Sequence, residues 1–178
     1  PRVTVADCKA NGEEILKAIH EMEKEHVKLM VFPEFCITGY TCHDLFLQRC
    51  LLDSAWDELL HIAEETRETD ALIFVGLPLR HRGKLYNVAA ALNHGRIVGF
   101  VPKTHIPNYN EFYEQRQFAG AEEEDVEFVD FLKCEKNEED EFWDEIPFGT
   151  ELIFECKEFP EFTVAAELCE DLWVPAPP

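Results

Sequence analysis

Three residues of this chain, each expected at the end of a strand, suffice together for acyl transfer through a thioester. Cys169 stands in AAELCEDLW (165–173), after a run of small and apolar residues and before two acids. Glu34 stands in VFPEFCITGY (31–40), delivered by a buried strand that Pro33 ends. Lys103 stands in VPKTHIPNYNEFYEQRQF (101–118), where another strand ends at Pro102 and a loop dense in Asn, Tyr and Glu follows. A free thiol has a pKa of about 8.5 and is mostly protonated at neutral pH. Glu34 as a neighbour would take that proton as general base. Lys103 would offset the added negative charge: two unit charges about 4 Å apart at an effective dielectric of 20 interact by roughly 4 kcal/mol. That is about three pKa units as an upper limit. Lys103 and the backbone N–H after Cys169 would also face the oxyanion of a tetrahedral intermediate. Amide hydrolysis is the foremost reaction of this class.

Each residue alone has a plainer reading. Glu34 caps a neighbouring backbone group, Lys103 is a surface lysine, and Cys169 is a buried structural cysteine, the usual fate of a free thiol. Cys36 and Cys42 compete as nucleophiles because both lie near Glu34, although neither ends a strand. Cys8, Cys50, Cys134 and Cys156 read as filler or surface. His105 offers a Cys/His pair, but a lone loop histidine is more often a polar surface residue. What favours the triad is that one sheet can bring three strand ends to one mouth.

The elements that must position these groups alternate. Residues 11–26 read as an amphipathic helix with Asn11 and Glu14 resembling a capping box. Residues 27–32 are a short buried strand, 53–66 a second helix and 71–77 another apolar strand, the order of an α/β layered fold. Strands at 84–93 and 96–103 join across NHGR as a tight hairpin, and 150–156 with 162–168 form a second hairpin around KEFPE. Helices should cover one face of the sheet, and the apolar other face needs a partner sheet. No repeats and no second domain are visible. The chain opens almost at once into a helix and stops just after Cys169, so it reads as a piece of a longer polypeptide.

The chain has 178 residues, room for one domain with a real core. No apolar run approaches the length that spans a bilayer, and the start lacks the pattern of a signal peptide. Seven cysteines without a C-x-x-C pair argue against a disulfide framework and a zinc site, and suit reduced thiols in the cytoplasm. The net charge of -21 disfavours nucleic acid as a partner. Residues 121–145 hold thirteen acids against two lysines, more than half of that excess. This stretch reads as a solvated insertion, or as a docking surface for a basic partner. Phe142 and Trp143 suggest that at least one of its ends folds back.

FPEFCITGY, PKTHIPNYNEFYE and ELCEDLW, with their Glu-Lys-Cys order, resemble the nitrilase (carbon–nitrogen hydrolase) superfamily. Within it, GYTCHDLF (39–46), the run 76–103, NYNEFYEQRQF (108–118), IPFGTELIFEC (146–156) and ELCEDLW (167–173) look like the glutamine amidotransferase domain of glutamine-dependent NAD synthetases. The resemblance covers nearly the whole chain except the acidic stretch. It implies an α-β-β-α sandwich, here incomplete at both ends. It implies Glu34 as general base, Lys103 as stabiliser of the tetrahedral intermediate and Cys169 as nucleophile on the side-chain amide of glutamine. Glu111, eight residues past the lysine, takes the place of a second acid that positions it. Tyr40, Tyr109, Phe112 and Glu170 map onto the glutamine pocket, with Glu170 holding the α-ammonium, while Asp171 orders the turn. In that subgroup the ammonia passes to a separate ATP-dependent synthetase domain that amidates nicotinic acid adenine dinucleotide. ATP and Mg belong to that domain, which has no counterpart here, so no cofactor and no metal is assigned to this chain. Self-association follows by resemblance. The competing functions are a stand-alone amidase for another small amide, and an interaction module acting through the acidic insertion.

Overall fold

The structure is a computed structural model that describes residues 1–122, 127–130 and 145–178. Helix α1 (Cys8–Lys24) begins earlier than expected because Asp7 caps it, accepting from the Ala10 N–H at 3.1 Å. Asn11, the expected cap, is buried inside the helix. Its carboxamide accepts from the Thr4 N–H (2.7 Å) and donates to the carbonyls of Thr4 (2.8 Å) and Ile37 (2.9 Å). It therefore ties the helix to the segment that follows Glu34. Helix α2 (Arg49–Glu65) crosses α1 closely at Gly12, where an added Cβ would lie 1.7 Å from Glu58 Oε1.

Six strands form one mixed sheet in the order β1-β2-β3-β4-β6-β5. β1 (Leu29–Val31) runs parallel to β2 (Leu72–His81). β2 pairs antiparallel with β3 (Lys84–Asn93) through the two-residue turn Arg82-Gly83, a hairpin that the expected strand boundaries did not contain. β3 pairs antiparallel with β4 (Arg96–Pro102) through His94-Gly95, both at positive φ (48° and 76°), as a hairpin turn of this length demands. Two successive antiparallel pairings leave β4 pointing the same way as β1 and β2. Glu34 and Lys103 therefore emerge at the same edge of the sheet.

Within the acidic stretch the described residues include a strand: β5 (Glu127–Asp130) pairs antiparallel with β6 (Glu145–Phe148), which begins at the last residue of the stretch and lies parallel to β4. Val129, Ile146 and Phe148 are buried, which is what fastens this pair to the domain. Cys134, Phe142 and Trp143 lie outside the described residues.

The two faces of the sheet are covered differently. Phe100 of β4 meets Trp56 of α2, with ring centroids 6.1 Å apart. Its neighbour Gly99 points the other way, and a Cβ there would meet Leu152 and Phe154 at 3.1 Å. Phe154 also meets Phe74 edge-on at 5.4 Å. The second face is thus covered by the expected hairpin, shorter than its sequence suggests: β7 (Phe154–Glu155) pairs with β8 (Thr163–Val164) alone. Helices, sheet and second sheet are three successive layers of the expected sandwich. Among the described residues, no helix is long and apolar enough to cross a membrane.

Candidate active site

The acid comes from a turn that leans on the sheet. After β1, residues 33–36 close a turn through the Cys36 N–H on the Pro33 carbonyl (3.0 Å), with Phe35 at φ 52°. The turn lies flat on β2 because Gly76 has no side chain; a Cβ there would stand 2.5 Å from the Phe35 nitrogen and 3.0 Å from the Glu34 Cα. The Phe35 ring fills the core beneath, 4.9 Å from Phe46 and 5.0 Å from Phe118. That cluster joins the loop after Glu34 to the loop after Lys103.

Lys103 is wholly buried, and its ammonium sits between two carboxylates. Nζ lies 2.8 Å from Glu34 Oε1 and 3.1 Å from both oxygens of Glu114. Burial works to lower its pKa, but Glu34 and then Glu114 outweigh it and hold the ammonium above its ordinary value. Asn87 of β3 donates a short hydrogen bond to the same Glu34 oxygen, and its backbone carbonyl accepts from the Lys103 N–H at 2.8 Å. Tyr40 donates a short hydrogen bond to Glu114. Burial first and Glu114 second push the Tyr40 hydroxyl up, so it stays a donor.

The thiol arrives differently. Cys169 was expected directly at a strand's end; it instead opens a five-residue 3-10 turn (Cys169–Trp173), five residues beyond the last paired residue, at φ 49°. Asp171, only 1% exposed, fastens this turn to the end of β4. Its carboxylate accepts the His105 N–H at 2.7 Å and the Thr104 N–H at 3.2 Å, the two amides that follow Lys103. The Cys169 thiol lies within electrostatic reach of Glu34, Lys103 and Glu114, and the Glu170 N–H lies against its sulfur. Burial first, then Glu34, raise its pKa above the ordinary thiol value in spite of Lys103. This corrects the expected balance, in which Lys103 compensates for Glu34. Lys103 already neutralises two carboxylates, and the thiol feels the net negative charge that remains.

The two competing thiols near Glu34, Cys36 and Cys42, are buried. Cys36 packs its sulfur against the Gly76 N–H (3.3 Å), and burial pushes it up to about 12. Cys42 is buried against the Thr38 carbonyl at 3.1 Å and is raised by burial as well. His105 turns its ring to the Ala176 carbonyl (3.3 Å).

The expected pocket residues form one aromatic rim beside the thiol. Phe112 stands edge-on to Tyr40 (6.4 Å) and near Tyr109 (5.7 Å), and the Tyr109 hydroxyl donates to Glu170 Oε2 at 2.9 Å. Glu170 is half-buried, one residue from the sulfur. The loop that carries this rim is clamped outside by Arg116, whose guanidinium grips both oxygens of Asp44 (2.7 and 2.8 Å).

With this geometry in view, the likenesses to known proteins are specific. The carbon-nitrogen hydrolase family model matches residues 2–177. The chain belongs to the carbon-nitrogen hydrolase family. It is 36% identical over 176 residues to the glutamine-dependent NAD(+) synthetase of Mycobacterium tuberculosis, matching 98% of this chain and 24% of that protein. A crystal structure of a glutamine-dependent NAD(+) synthetase from Cytophaga hutchinsonii superposes with a TM-score of 0.77 at 29% identity, over 88% of this chain and 25% of that one. The Nesterenkonia amidase of the nitrilase superfamily shares the fold, with a TM-score of 0.57 at 19% identity over 72% of this chain and 48% of its own. The chain thus spans about a quarter of the length of these synthetases, and its fold is nitrilase-like.

Two residues of this carbon-nitrogen hydrolase site, Glu114 and Asn87, escape sequence reasoning. The acid that meets Lys103 is Glu114, not Glu111, which is exposed. Counting eight residues from the lysine misses the bend of the loop. Its true course is set by the Glu114 N–H on the Pro107 carbonyl (3.2 Å) and a 3-10 turn over Glu114–Arg116. Asn87 carried a signal: one carboxamide between apolar strand residues on a buried strand needs a partner. Asp171, expected to order the turn, does so through the amides of Thr104 and His105.

Proposed function

We propose that this chain is the glutamine-hydrolysing part of a glutamine-dependent NAD synthetase. It would cleave the side-chain amide of glutamine through a thioester on Cys169. The released ammonia would serve an ATP-dependent amidation of nicotinic acid adenine dinucleotide elsewhere in the full-length protein. The observation that carries the reading is Lys103, buried with Glu34 and Glu114 on its ammonium and the Cys169 thiol in reach of all three.

In this reading the thiol rests protonated and Glu34 takes its proton as the sulfur attacks the amide carbon. Negative charge moves to the amide oxygen, where the Lys103 ammonium and the Glu170 N–H meet it. Glu34 returns the proton to the leaving nitrogen, the carbon–nitrogen bond breaks and ammonia departs. Water, deprotonated by Glu34, then hydrolyses the thioester and frees glutamate and the thiol. Glu170 receives the α-ammonium of glutamine, with Tyr109 fixing its carboxylate and Phe112 and Tyr40 walling the substrate's chain. One of the two acids behind Cys169 therefore serves the substrate and the other, Asp171, serves the turn.

The test is covalent labelling of the full-length protein with a diazo-ketone analogue of glutamine, followed by peptide mapping. Label on Cys169, blocked by glutamine, is the expected result. Label on Cys36, Cys42 or no cysteine overturns the reading.

A further inference from the structure

Asn87 has no explanation in the fold. It sits in β3 with 0% exposure, and among its strand neighbours Leu85, Tyr86 and Val88 are also buried. A carboxamide in such a place needs partners for two N–H groups and one oxygen. One N–H goes to Glu34 Oε1, while Oδ1 has no hydrogen-bond partner among the described residues. An unpaired buried amide oxygen costs folding free energy that an apolar side chain of the same size would not. The residue is therefore a burden on stability at a position where leucine would pack.

Its value lies in what it does to the acid. Glu34 Oε1 accepts from two donors at once, Asn87 Nδ2 and Lys103 Nζ. Glu34 Oε2 has no described protein partner and is the oxygen left for the thiol. We infer that Asn87 is a positioning residue that, with Lys103, saturates one oxygen of Glu34 and so assigns proton transfer to the other. This inference rests on the reading of Glu34 as the base. Losing Asn87 leaves Glu34 facing Lys103 from β4, Glu114 and Tyr40 from the two loops and Cys169 from the 3-10 turn. The carboxylate is then freer to rotate.

Two variants of the full-length protein test this, with ammonia release from glutamine measured across pH. Asn87→Leu should lower kcat about tenfold or more while KM for glutamine stays within about twofold, because misaligned transfer costs turnover and not binding. Its thermal midpoint should not fall. Unchanged kcat, or a loss carried by KM instead of kcat, overturns the inference. Asn87→Asp keeps the shape and decides the matter if the leucine variant does not fold. When protonated the new group can still donate to Glu34; when ionised it repels it. Its deficit relative to the parent should therefore grow as pH rises, and a ratio that is flat across pH overturns the inference. Cys169→Ala separates the two levels of argument. If that variant still releases ammonia, the reading of the site itself fails, whatever Asn87 does.

Discussion

The two halves of the mouth are built on different principles. The acid–lysine half stands on the ends of β1 and β4, is buried, and every charged group in it holds another: Asn87 and Lys103 on Glu34, Glu114 on Lys103, Tyr40 on Glu114. The sulfur half stands on a five-residue 3-10 turn among exposed side chains, Trp173 being 75% exposed, and hangs on the sheet by one carboxylate, that of Asp171. Preorganised charge is expensive to rearrange, so the first half can wait in its working geometry for substrate. The second half must be held to it, because reacting groups displaced by an ångström lose turnover steeply. Redundancy therefore protects the base, while the nucleophile's turn is held to the sheet chiefly by Asp171.

Substitutions test that contrast. The largest effect belongs to Cys169→Ala, which should remove glutamine hydrolysis by on the order of 10⁴-fold, measured as ammonia release. Next comes Glu34→Gln, expected to lower hydrolysis by about 10²–10⁴-fold. The same variant should move alkylation of Cys169 by a haloacetamide the other way. Glu34 is one of the groups that raise the thiol's pKa, so its removal lowers that pKa and the labelling curve should shift to lower pH. Slower hydrolysis with a more reactive thiol would separate the roles of base and nucleophile in one protein.

Asp171→Ala should cost about 10²-fold in kcat by loosening the turn. It should also lower the thermal midpoint, because two amides lose their acceptor at about 1–3 kcal/mol for each one that stays dry. If kcat is unchanged, the sulfur half has a second anchor and the contrast fails. The smallest effect separates the two candidate acids of the loop. Glu111→Gln should leave kcat/KM within about twofold, as an exposed site usually does. Glu114→Gln should lower it about tenfold or more, since the charge that holds Lys103 is lost.

The sequence made one half more legible than the other. Glu34 and Lys103 were readable because β1 and β4 announce themselves as short apolar runs ended by proline, and parallel directions then put their ends together. The helix order and the NHGR hairpin were readable for the same local reasons. The sulfur half depends on contacts distant in sequence: Asp171 reaches residues 66 and 67 positions away, which no periodicity records. Glu114 was hidden by a bend in a loop, where offsets do not translate into direction. The sign of the shift on Cys169 was misread because pairwise charge arithmetic counted one lysine against one acid. The site sets that lysine against two.

The place where β5 and β6 meet the rest has a practical meaning. β6 runs parallel to β4 with Phe148 beside Phe100, so Glu145 and its partner Asp130 lie toward the start of β4 and Lys103 toward its finish. At about 3.3 Å per residue, that separates the junction from the lysine by roughly 20 Å. Both flanks are already laced side by side, and closing a loop costs little more as it lengthens. An insertion made between these two flanks therefore enters and leaves the chain at the end of the sheet remote from Lys103.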